Sequence, residues 1–508
     1  MGAKSIDTDV REREIVSINP ATMEEMERFP IASAEDVRAA VARARAAQPA
    51  WGALSFRNRA RYILKARRAL YDRQNEIIRI ISDETGKPPF EALTTEVFPV
   101  ADLMSHFAAK SERILKDEKF TLAVFRNKRS AILREPLGVV GIISPWNFPF
   151  AIPMGEIVMA LMAGNAVVLK PSEYTPVVAD AIRRLMAAAG FPEGVFNIVQ
   201  GDGSTGAALV DAAVDKIFFT GSVRTGKRIA ETAAKRLLPV VLELGGKDAM
   251  IVLEDAPFER AVRGAVWGAF ANCGQVCASV ERLYVVEPIA ERFISAVVDE
   301  VKKLRVGPPV GCDTDVGPLV NENQLNTVSD HIADAVARGA RVLAGGRRRE
   351  DLGGYFFEPT VLVDVDDSMK VMTEETFGPV LPICVVKDEE EAIREANNSR
   401  YGLLASVWTT NERGRRIARR VEAGTVIIND ALYTHGAAQT PWFGVKESGM
   451  GVTHGSAGLM EFVRLKHVNW DLLPISSNWW WFPYTERWQS RFKTLMKVLY
   501  RWGWRKIA

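Results

Sequence analysis

At 508 residues and 47% hydrophobic composition, the chain can bury a large core and divide into two or three domains, which excludes disorder as the default. Lys+Arg (65) nearly balances Asp+Glu (63), so no chain-wide field invites nucleic acid or another polyanion. Four cysteines, Cys273, Cys277, Cys312 and Cys384, fit neither a disulfide scaffold nor a paired zinc site; no metal centre is expected, and a reducing cytoplasm suits them.

The start, Met1 to Glu14, is polar and lacks the apolar run of a signal peptide, and Ile6 stands where a myristoylation pattern needs Ser or Thr. No apolar stretch is long enough to span a bilayer. Ser33-Ala34-Glu35-Asp36 signals a capped helix carrying Val37, Val41 and Ala44, so the opening region is predicted to be helix-rich. Phe120 to Arg134 alternates, with Asn127 and Lys128 at a turn, and reads as a hairpin outside the main sheets.

Apolar runs then alternate with helical patterns: Val139 to Ile143, Ala166 to Leu169, Val195 to Val199, Lys216 to Phe219 and Pro239 to Leu242. Strands buried on both faces of a parallel sheet read this way. A second series (Ala249 to Leu253, Arg282 to Val286, Leu404 to Trp408, Thr425 to Ile428), separated by helical patterns such as Glu389 to Asn398, implies a second α/β domain.

Several segments carry chemistry. Asn272 to Ser279 is a small-residue loop exposing the Cys277 thiol, the nucleophilic form of which is the thiolate. Taken alone, such a cysteine reads more readily as a small buried hydrophobe. Glu243 ends the run Pro239 to Leu242, followed by Gly245 and Gly246; a desolvated acid there can act as a general base, or simply as an ion-pair partner. Asn147, between Pro145 and Pro149 after the strand Val139 to Ile143, is a rigid amide suited to an oxyanion, or a structural turn residue. Lys170 and Glu173 follow one strand, and Gly221, Ser222 and Gly226 follow another, where a dinucleotide would lie. Gly221 to Lys227 also satisfies most of a P-loop pattern, a rival nucleotide triphosphatase reading, but Arg228 occupies the position of the magnesium-binding hydroxyl. Glu374 to Pro379, by itself, is merely a turn.

As an ordered set these segments resemble the aldehyde dehydrogenase superfamily over nearly the whole chain up to about Asp471. The resemblance implies an α/β fold with a Rossmann-like cofactor domain (1–118 and 138–244), an α/β catalytic domain (245–453) and a small β oligomerisation element (119–137 and 454–473). It implies Cys277 as nucleophile, Glu243 as base, and Asn147 with the Cys277 N–H as oxyanion hole. Lys170 and Glu173 would hold the adenosine ribose, and Gly221, Ser222 and Gly226 the pyrophosphate. Glu375 and Phe377 would hold the nicotinamide end, with Trp146 against the cofactor. Phe148, Ile152, Gly155 and Phe443 would line the substrate tunnel, which suits an apolar medium- or long-chain or aromatic aldehyde; a semialdehyde is the alternative. The expected oxidant is NAD, with NADP possible, because Glu173 would accept a ribose hydroxyl and repel a phosphate. Glu243 distinguishes the chain from CoA-acylating relatives, and a homodimer or homotetramer is expected.

Beyond that body lies a tail (474–508) with six of the twelve tryptophans: Trp479, Trp480, Trp481, Trp488, Trp502 and Trp504. Trp488, Phe492, Leu495, Leu499 and Trp502 share one helical stripe, with Lys493, Lys497 and Arg501 opposite. From Thr485 on, seven lysines and arginines face one acid, a net +6, whereas the whole chain is +2. A basic aromatic helix reads as lying in an anionic membrane interface, with Trp479 to Trp481 as belt residues; the alternative is an arm packed on a sister subunit.

Overall fold

The β-branched apolar runs become strands with no exposed face: Val139–Ile143, Ala166–Lys170 and Asp248–Val252 are buried at every residue. The structure is a computed structural model that describes residues 14–473 and 475–501. It falls into two compact units, one comprising the chain to Leu115 and Glu135–Arg464, the other Lys116–Arg134 and the chain from Leu465.

The first unit contains two α/β sheets. In one, the neighbours run Gly449–Met450, Val240–Glu243, Lys216–Thr220, Val139–Ile143, Ala166–Lys170, Phe196–Ile198. The last five are mutually parallel, and the short first strand is an antiparallel edge. The chain enters at Val139–Ile143, moves outward to Phe196–Ile198, then returns to Lys216–Thr220 on the other side. That reversal opens a crevice between the loops after Ile143 and after Thr220, where open α/β sheets bind ligands. The edge strand comes from the range expected to serve the second sheet alone; two residues are too few to leave a periodic signal.

The second sheet has seven strands, ordered Arg341–Ala344, Thr360–Val363, Val380–Val386, Val280–Val286, Asp248–Val252, Leu404–Trp408, Thr425–Ile428. All pair in parallel except Arg341–Ala344. Val380–Val386 was not anticipated because Pro382 interrupts it, and proline argues against a central strand.

The opening region is helical as expected (Ala34–Gly52, Phe56–Asp72, Gln74–Thr85, Phe98–Ile114), and Ser33 and Asp36 form the predicted capping box. An unpredicted hairpin, Glu14–Ile18 with Glu25–Pro30, precedes it.

In the second unit, Glu118–Thr121 pairs antiparallel with Lys128–Pro136, which lies between it and Val463–Asp471. The basic helix is present as Glu486–Met496, continued by a wide turn at Lys497–Arg501. Trp502 and Trp504 lie outside the described residues. Among the described residues no helix is long and apolar enough to cross a membrane.

Candidate active site

Asn147 sits in the loop between the strand Val139–Ile143 and the fully buried helix Ala151–Met162, and is itself buried. Its carbonyl accepts hydrogen bonds from Lys87 Nζ (3.0 Å) and Asn272 Nδ2 (3.0 Å). Lys87 is paired at 2.6 Å with Glu96, both side chains without solvent exposure. The second Glu96 oxygen accepts the Phe150 and Ala151 amides at 2.8 and 3.1 Å, satisfying donors that open the helix. One buried ion pair therefore clamps the loop from both ends. The Asn147 amide donates to the Gln275 carbonyl at 3.1 Å, which orients it and leaves its second N–H available.

Cys277 follows a tight turn in which Asn272 and Cys273 both adopt left-handed backbone (φ 52° and 55°), a conformation costing about 1–2 kcal/mol per residue. That strain is held by a Glu91 oxygen accepting the Asn272 amide at 2.6 Å and by Gln275 Oε1 accepting the Val320 amide at 2.9 Å. The result is a half-buried thiol on a rigid loop, whereas Cys273 is buried and faces the core. Burial pushes the Cys277 thiol up, and the carboxyls of Asp248, Glu375 and Glu243 push in the same direction.

Glu243 is the last residue of its strand rather than the first beyond it, and is buried with both carboxyl oxygens lacking a well-formed hydrogen bond. Burial raises it well above the usual carboxylate range, Glu156 adds to this, and the Trp442 indole opposes it. Glu156 is the one charged residue of the helix Ala151–Met162; burial pushes it up to about 8 against a hydrogen bond from Thr220, which lies opposite Glu243 in the strand register.

Two cavities meet at Cys277. The first, about 260 Å³, is lined by Trp146, Asn147, Gly221, Ser222, Glu243, Glu375 and Phe377. Trp146 and Phe377 stand edge to face at 5.3 Å. Glu375 accepts the Gly246 amide at 3.0 Å and is pushed up to about 8 by burial. A side chain on Gly246 would strike the Cys277 backbone carbonyl, so that position requires glycine, and one on Gly245 would displace the Glu375 carboxylate. The Glu375–Phe377 turn is braced by Glu281, which accepts the Thr376 and Phe377 amides (2.8 and 2.9 Å) and pairs with buried Lys247 at 2.6 Å.

Further along the same sheet edge, buried Lys170 pairs with the partly exposed Glu173 at 3.1 Å. Ser222 caps the helix Val223–Ala234. Gly226 is different: a side chain there would strike Leu244, so its glycine serves the packing of that helix on the strand end. Lys227, the lysine of the P-loop-like pattern, pairs instead with Glu447 at 2.8 Å.

The second cavity, about 350 Å³, is lined mainly by apolar and aromatic side chains, among them Phe148, Ile152, Trp267, Val276, Leu432 and Trp442. Among the described residues no lysine or arginine lines it. Its imidazole, His435, is held neutral by burial, pushed down to about 4, and packs edge to face on Trp442 at 5.2 Å. Phe148 and Ile152 are where the sequence placed them; Gly155 and Phe443 are not. The Gly155 position faces His454, with Nε2 at 3.2 Å from where a Cβ would stand, and the Phe443 carbonyl packs against Gly424. Trp442 sits in extended backbone bridged to Thr453, where successive side chains point to opposite sides, so a shift of one residue exchanges Phe443 for Trp442.

Comparison with known proteins gives this geometry its class. The family model described as "Aldehyde dehydrogenase family" matches residues 7–468. A "4,4'-diapolycopene aldehyde oxidase" of Methylomonas sp is 39% identical over 492 residues, covering 96% of this chain and 91% of that one. A "Putative succinate-semialdehyde dehydrogenase [NADP(+)] 2" of Mycobacterium ulcerans (strain Agy99) is 40% identical over 443 residues (87% and 85%). Among solved structures, that of Mycobacterium tuberculosis aldehyde dehydrogenase complexed with NAD+ superposes with a TM-score of 0.87 at 37% identity, covering 92% and 95% of the two chains. The chain belongs to the aldehyde dehydrogenase family. It oxidises an aldehyde to a carboxylic acid.

Proposed function

We propose that Cys277 is the nucleophile of this oxidation, with NAD or NADP as the oxidant. One observation carries the assignment: the thiol is shared by the apolar cavity and the polar crevice, so it can touch an aldehyde on one side while a hydride acceptor lies on the other. The residues of the crevice fit a dinucleotide. Trp146 and Phe377 offer aromatic wall for a flat ring, Glu375 and the Lys170–Glu173 pair offer groups for ribose hydroxyls, and Ser222 with Gly221 opens a helix N-terminus suited to phosphate. In this reading the first sheet and its helices hold the cofactor, and the second presents the loop of Cys277.

The thiolate adds to the aldehyde carbon, forming a C–S bond and an alkoxide held by the free Asn147 N–H and the Cys277 N–H. The bound dinucleotide supplies the hydride acceptor that side chains cannot provide. A thioester then remains on Cys277. Glu243 takes a proton from water, the hydroxide attacks the acyl carbon, the C–S bond breaks, and the acid and thiol are released. Cys277→Ala should abolish reduced-cofactor formation, a loss of at least about 10³-fold, while cofactor binding persists. Undiminished turnover would overturn the assignment.

The substrate we infer is an apolar aldehyde, because no cation in the cavity wall could hold a second carboxylate. The Methylomonas relative is named for 4,4'-diapolycopene aldehyde, whereas the mycobacterial relative is named for a semialdehyde, the competing substrate. In a panel of aldehydes, kcat/KM should rise with each added methylene by up to about 4-fold until the cavity is filled, as about 0.8 kcal/mol per buried methylene requires. Preference for succinate semialdehyde would overturn this.

NAD is favoured over NADP by the carboxylate of Glu173. Assembly into a homodimer or homotetramer is supported by the edge strand Val463–Asp471, which exposes Leu465, Val468 and Trp470. All four cysteines are free, as a reducing cytoplasm would keep them.

A further inference from the structure

The tail holds two groups of side chains that aldehyde chemistry leaves unused. Its helix Glu486–Met496 starts at Thr485, whose hydroxyl accepts the Trp488 amide. Part of the apolar stripe of that helix is packed: the Phe492 ring lies 3.9 Å from Trp479, and Trp488 lies 6.4 Å from the Trp479 ring. Trp479 in turn packs on Trp480 at 5.0 Å, and Trp480 on Phe125 of the hairpin loop at 5.2 Å. Folding of the unit therefore covers the Phe492 side of the helix, together with two of the three adjacent tryptophans expected at a membrane, while Trp488 stays 39% exposed.

What stays outside is a different set. Arg487, Arg491, Lys493, Lys497 and Arg501 are all exposed, and among the described residues none of them forms a salt bridge; Arg491 stacks on the Trp488 ring at 5.0 Å. The segment supplies a single acid, Glu486. Just before the helix, Trp481, Phe482 and Tyr484 are 54%, 78% and 75% exposed. Three largely exposed aromatic rings, two of them packed on each other at 4.5 Å, beside five hydrated cations match a partner that is both anionic and able to receive aromatic rings. A bilayer surface with anionic headgroups has both properties.

We propose that residues 481–501 dock on an anionic lipid surface, with the five cations on the headgroups and Trp481, Phe482 and Tyr484 entering the interface. The helix then turns its charged arc, rather than its Phe492 side, towards the lipid. Such binding is shallow and combines two weak signals, aromatic and basic, as stable peripheral attachment requires. It does not depend on which aldehyde the enzyme oxidises.

Flotation of the full-length protein with vesicles of phosphatidylcholine, alone or mixed with phosphatidylglycerol, tests this. Binding is expected only with the anionic lipid and should weaken as salt rises. Lys493→Ala with Lys497→Ala should lower the partition coefficient about 30-fold, about 5-fold for each cation lost near the surface. Trp481→Ser with Phe482→Ser should remove the part of the binding that survives high salt. Both variants should keep wild-type aldehyde turnover, which reports an intact fold. Equal binding to neutral vesicles, no binding to anionic ones, or variants that bind like wild type would each overturn the proposal. So would a Trp481→Ser/Phe482→Ser variant that loses only subunits in sedimentation, since the surface would then belong to a second copy of the chain.

Discussion

The two cavities that meet at Cys277 are built by opposite means. The apolar one is a wall of side chains (Phe148, Ile152, Trp267, Leu432, Trp442) projecting from several separate segments, of which only Trp442 also reaches the Glu243 carboxyl. The polar one depends on backbone that buried charge holds in place. Gly246 passes where no side chain fits, and Glu281 with Lys247 braces the Glu375–Phe377 turn. Even Asn147 is positioned through its carbonyl by the Lys87–Glu96 pair. A site divided this way can vary its substrate while keeping its chemistry.

That contrast can be broken where it is strongest. Replacing Glu243 by Gln, which keeps the shape of the crevice, should slow thioester hydrolysis by about 10²–10⁴-fold while the first turnover's burst of reduced cofactor remains. A variant that loses the burst as well would place Glu243 in the attack rather than in the release. Next in size is the buried clamp. Lys87→Met strands the Glu96 carboxylate in an interior with no solvent, and should lower unfolding free energy by about 3–5 kcal/mol in denaturant titration. Loss of activity with unchanged stability would show that the clamp serves geometry alone.

The smallest expected effect concerns pH. Glu156, when ionised, raises Glu243, so Glu156→Gln removes a like charge and lets Glu243 ionise at lower pH. The Cys277 thiol is the other ionisable group that Glu243 acts on, and His454 faces the adjoining Gly155 position as a neutral imidazole; the substitution leaves both in place. The acid limb of kcat should therefore move to lower pH, while the burst phase keeps its own profile. An unmoved limb would reduce Glu156 to a packing residue.

Much of this was visible before any coordinates. Patterns of β-branched runs located the strands of the first sheet to within a residue or two, because a strand buried on both faces needs apolar residues at every position. Cys277, Glu243 and Asn147 could be picked out because each follows or ends such a strand or helix, where chain direction changes and side chains are exposed to a crevice. Lys87, Glu96, Glu281 and Lys247 could not. Each is an ordinary charged residue in sequence, and only burial beside its partner makes it matter. The cavity wall was half legible: Phe148 and Ile152 adjoin Asn147, whereas Trp267, Leu432 and Trp442 arrive from distant segments.

The tail shows the same division in a single helix. Its sequence alone determined that residues 486–496 are helical, amphipathic and basic. Which side is covered was decided by tertiary structure, because Trp479 packs on Phe492 and takes that part of the apolar stripe from the surface. Periodicity states that a face will be buried; it does not say against what. For Cys277 likewise, the sequence determined the thiol, the acid and the amide that chemistry needs. Only the fold, by bringing loops more than a hundred residues apart to one point, decided that the thiol opens to an apolar cavity on one side and a polar crevice on the other.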